Sequence, residues 1–277
     1  KFYKKYLDEF PFADNAWYNV GISYSKIDKF AEAVEAYDFV IAVKPDYVSA
    51  YYNKANALAN IENYNEAIRT YREYLELDPD NEMVYCYIGE CHEKMNRDFD
   101  AMNSYGKALK INKNCAEAWF GIGMLFVYKH RYIDSLMFVT KAIKIDPNNP
   151  DFWYALGDIN TKLQLNEDAV EAYQKATFLD PYDSESWLKY AMINYKKNNI
   201  SEAIKTLNSG FKYNPDNAEI NYRLAAYHFE NKDYEKAMFY FNNALSLDFN
   251  KHTEFLDFFP EAKKNQQIQR LIQKHKK

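Results

Sequence analysis

Apolar and small residues recur along the chain at helical spacing, in runs of about 12 to 14 residues divided by short polar segments such as Ile27-Asp28-Lys29 and Lys197-Asn198-Asn199. Windows opening at Asp14, Val48, Glu82, Ala116, Pro150, Ser184 and Ala218, each 34 residues after the last, bring the runs into register without insertion or deletion. The fourth residue of each window is large: Trp17, Tyr51, Tyr85, Trp119, Trp153 and Trp187, with Asn221 the exception. Four residues later stands a small one: Gly21, Ala55, Gly89, Gly123, Gly157, Ala191 and Ala225. Large and small residues at that spacing share a helix face and let a second helix approach over the small one. A second run follows in every window. Its small residue is Ala33, Ala67, Ala101, Ser135, Ala169, Ala203 or Ala237, and its partner four positions on is Tyr37, Tyr71, Tyr105, Val139, Tyr173, Leu207 or Phe241. Each window therefore predicts a helix hairpin.

The second run opens on acids, Glu32, Glu66, Asp100, Asp134, Asp168 and Glu202, which suit the positive end of a helix. It closes near a proline, at Pro11, Pro45, Pro79, Pro147, Pro181 and Pro215, with Lys113 in the one vacant place. Proline stops the hydrogen-bond ladder and presets the next helix start.

With Trp153, Leu156, Gly157, Ala169, Tyr173, Ala176 and Pro181 as the type example, the chain resembles the tetratricopeptide repeat family. The resemblance implies an all-α fold, a right-handed superhelix of helix hairpins whose concave side is lined by first helices. The expected organisation is a truncated second helix over 1–13, seven repeats over 14–251 and capping helices over 252–277. Lys113 and Phe249 for proline, Ser135 and Val139 in the fourth window and Asn221 depart from the pattern without breaking its period. The tail, with Phe255, Phe258 and Phe259 and then Ile268, Leu271 and Ile272, reads as an end piece covering the last hairpin. Its lysines leave open an acidic partner or a membrane surface.

Composition narrows the function. Of 277 residues 48% are hydrophobic and 27% charged, with 7 Gly and 8 Pro, which predicts an ordered chain. The net charge of −5 argues against nucleic acid, which calls for clustered Lys and Arg. No apolar run has the length of a membrane span. Three cysteines form no disulfide framework, and a cytoplasmic location is the default expectation. The pattern begins inside a repeat, so the true N-terminus is expected to lie upstream.

The family's usual ligand-facing positions map to a broken aromatic ladder and a row of mixed residues. They nominate Tyr18, Tyr52, Asn56, Phe120, Met124, Tyr154, Asp158, Met192 and Tyr222 as the partner-binding set. Aromatic and Met side chains dominate interface hot spots, so an extended peptide or protein segment is the expected partner. The same tyrosines could instead pack between neighbouring first helices. Glu90, Glu93, Glu117, Asp151, Asp158, Glu185, Glu219 and Glu230 outnumber Lys26, Lys94, Lys162 and Lys196 on that side, favouring a basic and apolar partner. Asn19, Asn53 and Asn56 add an amide patch able to bond a peptide backbone. A clamp for a terminal carboxylate is not expected, because Tyr87 and Glu117 stand where the family's clamp has basic residues.

No catalytic, metal or cofactor constellation emerges. Cys86 and Cys91 lie about 140° apart around one helix and diverge, which reads as buried free thiols. Cys115, in an inter-repeat turn, is expected to be exposed. Gly121 and Gly123 sit mid-helix with no phosphate-loop context. The sequence thus points to a non-enzymatic protein-binding scaffold. A regulatory or targeting segment of a larger, possibly enzymatic protein is the alternative, and self-association through the tail remains open.

Overall fold

In the computed structural model, which describes residues 9–276, a first helix begins at every window start: α1 (Asp14–Ser25), α3 (Val48–Asn60), α5 (Glu82–Lys94), α7 (Ala116–Tyr128), α9 (Pro150–Lys162), α11 (Ser184–Lys196) and α13 (Ala218–Glu230). Each is followed by a second helix: α2 (Phe30–Val43), α4 (Tyr64–Leu77), α6 (Asp98–Ile111), α8 (Tyr132–Ile145), α10 (Asn166–Leu179), α12 (Ile200–Tyr213) and α14 (Tyr234–Leu247). After α14 come a short 3-10 turn, α15 (His252–Phe258), a second 3-10 segment and α16 (Gln266–His275). Among the described residues there is no strand, and no helix is long and apolar enough to cross a membrane. The expected helix over 1–13 falls largely outside the described residues.

The chain forms two compact units, one ending at Ile145 and the other beginning at Asp146. Within each, every helix packs on its hairpin partner and successive hairpins pack on one another.

The turn inside every hairpin is closed by one device. A backbone N–H five residues on returns to the end of the first helix, as in Lys29 N to Tyr24 O (3.0 Å), Leu165 N to Asn160 O (2.9 Å) and Asp233 N to His228 O (2.9 Å). The closure requires one left-handed residue per turn: Asp28, Glu62, Asn96, His130, Gln164, Asn198 and Lys232, with φ of 56–63°. None of them is glycine. Asp and Asn tolerate that conformation, while Glu, His, Gln and Lys carry a local strain that the packed helices on either side over-determine.

A second device joins hairpin to turn. Trp17 Nε1 donates to Pro11 O (2.8 Å), Tyr51 Oη to Pro45 O (2.9 Å), Trp119 Nε1 to Lys113 O (2.9 Å), Trp153 Nε1 to Pro147 O (2.8 Å) and Trp187 Nε1 to Pro181 O (2.9 Å). Asn221, the departure from the aromatic pattern, keeps the bond: its Nδ2 reaches Pro215 O at 2.9 Å. The fourth position therefore carries a donor as well as bulk.

All seven second-helix small residues are wholly buried, and so are their partners from Tyr37 to Phe241. The first-helix glycines mark places of close approach. A Cβ on Gly157 would stand 2.5 Å from the Tyr173 ring, and one on Gly89 2.7 Å from the Tyr105 ring. In the fourth hairpin Ser135 replaces alanine and its buried hydroxyl finds no partner.

The tail packs on the last hairpin. Phe255, Ala262, Ile268 and Ile272 share one core with Tyr222, Phe241 and Ala244. Cys115 corrects an expectation: it is 3% exposed, because it packs in one core with Cys86, Tyr105 and Ile122.

Candidate functional site

In the first unit, the expected ladder residues bind each other before anything else. The Tyr18 hydroxyl accepts from Asn53 Nδ2 at 2.8 Å, and its ring lies 4.9 Å from Tyr47. The Tyr52 hydroxyl donates to the Tyr87 hydroxyl at 3.2 Å, with ring centroids 5.9 Å apart. These contacts bridge consecutive first helices, and both rings stay half-buried, so each splices hairpins together and still shows an edge to solvent. Phe120 and Met124 are half-buried on α7.

Asn53 and Asn56 of the amide patch line an open cavity of about 280 Å³, together with Ile22, Lys26, Tyr37 and Asn60. Two second-helix and first-helix bonds orient its amides. Tyr71 Oη donates to Asn56 Oδ1 at 2.5 Å, leaving the Asn56 amide N–H groups as donors. Asn53 spends one N–H on Tyr18, leaving its Oδ1 as acceptor. An amide donor and an amide acceptor thus stand three residues apart on α3. Asn19, expected in the same patch, instead turns its amide to Asn15 O (2.8 Å) on its own helix.

Farther along this unit the face turns acidic. Glu93 accepts from Tyr105 Oη at 2.6 Å; burial pushes its carboxyl up to about 7, against the pull of that hydrogen bond. Burial also raises Glu90, with Lys94 opposing it. The Tyr71 and Tyr105 hydroxyls are raised well above the ordinary phenol range, chiefly by burial, so they stay protonated donors.

The second unit uses the same parts differently. Tyr154 meets Tyr173 edge to face at 6.0 Å, and Tyr173 Oη donates to Asp158 Oδ1 at 2.6 Å. Asp158 also faces Lys189 Nζ at 3.6 Å. Glu219 lies 3.6 Å from Arg223 and 3.7 Å from Lys251, and Glu230 accepts from Tyr195 Oη at 2.7 Å. Counting acids by sequence position left out Lys189, Arg223 and Lys251, which neutralise much of this face. Met192 is half-buried. Tyr222 is a correction to the expected set: it is 5% exposed, its ring lies 5.8 Å from Phe255 and its hydroxyl donates to Asp248 O at 2.8 Å. The tail covers the position that would have faced a ligand.

The tyrosine hydroxyls that reach Asn56 and Asp158 were missed in the sequence. Both pairs are 15 residues apart, linking the second-helix tyrosine to the ninth residue of its own window. A polar ninth residue in windows with that tyrosine was the available signal, although in the third window Tyr105 passes over Glu90 and takes Glu93.

Helix hairpins at a 34-residue period, with this core and these turns, define a helical-repeat protein. Residues 18–82 match the model of the tetratricopeptide repeat, and residues 135–250 match that of the cytochrome c-type biogenesis protein H TPR domain. The chain belongs to the tetratricopeptide repeat family. No curated protein matches it. Solved structures with the same fold include the APC/C hetero-tetramer Cut9-Hcn1 (18% identity, TM-score 0.63), where the alignment covers 81% of this chain and 45% of the other, so this chain spans less than half of that one. Pseudomonas aeruginosa PilF aligns with 18% identity and TM-score 0.64, over 77% of this chain and 97% of the other. YrrB, described as a TPR protein with an unusual peptide-binding site, gives 23% and 0.55, over 70% and 98%. At these identities the likeness is one of fold.

Proposed function

We propose that this chain is a non-enzymatic scaffold that binds an extended segment of another protein on its first-helix face. The Asn53 and Asn56 amides hold the segment's backbone, and Tyr18, Tyr52, Phe120 and Met124 supply apolar contact. Tyr154, Asp158 and Met192 offer a comparable surface on the second unit, and residues 252–277 act as an end cover. The observation that carries the reading is the donor and acceptor pair on α3, held in opposite senses by Tyr71 and Tyr18 beside a cavity of 280 Å³. Such preorganisation lowers the ordering cost on the protein's side. Glu90 and Glu93 on α5 favour basic residues in the segment.

The test is selection of a displayed random-peptide library on the full chain, followed by fluorescence anisotropy of the selected peptides. Each backbone hydrogen bond is worth about 0.5–1.5 kcal/mol, so Asn53→Ala with Asn56→Ala weakens binding roughly tenfold. Equal affinity for the double variant, with unchanged helix content, refutes the amide assignment.

A further inference from the structure

We propose that Cys86 and Cys115 are a redox modification site: a hydroperoxide oxidises the pair to an intramolecular disulfide that ties α5 to the start of α7. Their sulfurs lie 3.5 Å apart although 29 residues separate them in the chain. A disulfide bond is about 2.05 Å long, so closure asks for a movement of about 1.5 Å, within reach of side-chain rotation and a small shift of the turn. Both thiols are free.

Three features converge on this pair. Cys115 occupies the N-cap position of α7, where backbone amides stabilise negative charge. Its Sγ also lies 3.7 Å from Glu117 Oε2, an acceptor for the thiol proton. Finally, the turn that carries Cys115 has Lys113 where Pro45, Pro79, Pro147, Pro181 and Pro215 stand in other turns, so its backbone is less restricted. Lys113 and Asn114 are exposed, which puts the buried sulfur directly beneath the surface.

The roles of the two sulfurs follow from their contact. Contact with the Cys86 sulfur holds the Cys115 thiol below its ordinary range, against the pull of burial. The same contact, with burial, raises Cys86. Cys115, at the helix N-terminus next to the exposed Lys113 and Asn114, is the attacking sulfur, and Cys86, wholly buried within α5, resolves it. Its thiolate displaces the O–O bond of the hydroperoxide, which takes the electron pair and leaves as hydroxide or alkoxide, and Cys115 becomes a sulfenic acid. Cys86 loses its proton and attacks that sulfur; the S–O bond breaks and water leaves. Two thiols lose two electrons in total, and the peroxide gains them. Cys91 is buried in a different cluster, with Tyr71 and Ile88, and takes no part.

The experiment treats the native full chain with hydrogen peroxide, alkylates the remaining thiols, and reads intact mass and peptide maps. The expected product is a monomer lighter by two hydrogen atoms, with peptides containing Cys86 and Cys115 linked, Cys91 unlinked, and the mass restored by dithiothreitol. Cys91→Ser forms the same link at the same rate, while Cys115→Ser forms none. The proposal is overturned by unchanged thiols in folded protein at a peroxide dose that oxidises a free small thiol. A disulfide that includes Cys91, a link seen only after denaturation, or Cys115 carried on to sulfinic acid without linking overturns it equally.

Discussion

Replacing Glu93 with Gln removes one ionisable group from a half-buried site and keeps an oxygen for the Tyr105 hydroxyl, which now lies 2.6 Å from the carboxylate. Burial raises this carboxyl from 4.5 to about 7. The sign follows from linkage: between those values the folded protein binds more protons than the unfolded chain, so stability falls as pH rises through the window. The gap, at about 1.4 kcal/mol per pH unit, sets a ceiling of about 3.4 kcal/mol. Glu93 keeps part of its surface in water, and screening reduces the expected effect to about 1–2 kcal/mol. Urea unfolding followed by circular dichroism, with wild type and Glu93→Gln side by side, should show near-equal midpoints at about pH 4. At about pH 8 the variant should be the more stable by that amount. Groups that do not interact with Glu93 cancel in the difference, whereas Glu90, whose charge raises Glu93, adds to it in the same sense. A difference that does not change with pH refutes the argument that ionised Glu93 is disfavoured in the fold.

Two glycines should respond in opposite senses: Gly106→Ala, where a Cβ meets nothing within 4 Å, should stabilise by about 0.5–1 kcal/mol, whereas Gly157→Ala, 2.5 Å from the Tyr173 ring, should destabilise by about 1–3 kcal/mol. Thermal unfolding checks both, and shifts of the same sign would refute the close-approach account. Phe255→Ala removes a ring 4.6 Å from Phe241 and 5.8 Å from Tyr222 and should cost about 3–5 kcal/mol. Hydrogen exchange should then quicken in α13, and unchanged exchange there would show that the tail does not protect it.

The period and the helices were legible because they rest on local spacing. Helix starts at Asp14 through Ala218 coincide with the window starts, since a 3.6-residue periodicity and a proline between runs act within one turn of backbone. Small residues at Gly157 or Ala169 announced close packing for the same reason. The turns were legible only in part: a short polar segment was evident, but not that Glu62, Gln164 and Lys232 accept a left-handed backbone. Packed helices on both sides impose that conformation against residue preference.

Partners of polar groups were decided by the tertiary structure. Asn221 looks like a lost aromatic until its amide is seen on Pro215 O, and Tyr222 looks like a ligand contact until the tail is seen above it. Asp158 counts as a free acid until Tyr173 and Lys189 reach it. Cys115 seems a surface residue until its turn places it on Cys86. These contacts join positions 6 to 33 residues apart, and most cross from one helix or hairpin to another. Helical periodicity fixes which face of a helix is apolar, whereas the docking of one hairpin on the next fixes which side chains meet across the seam.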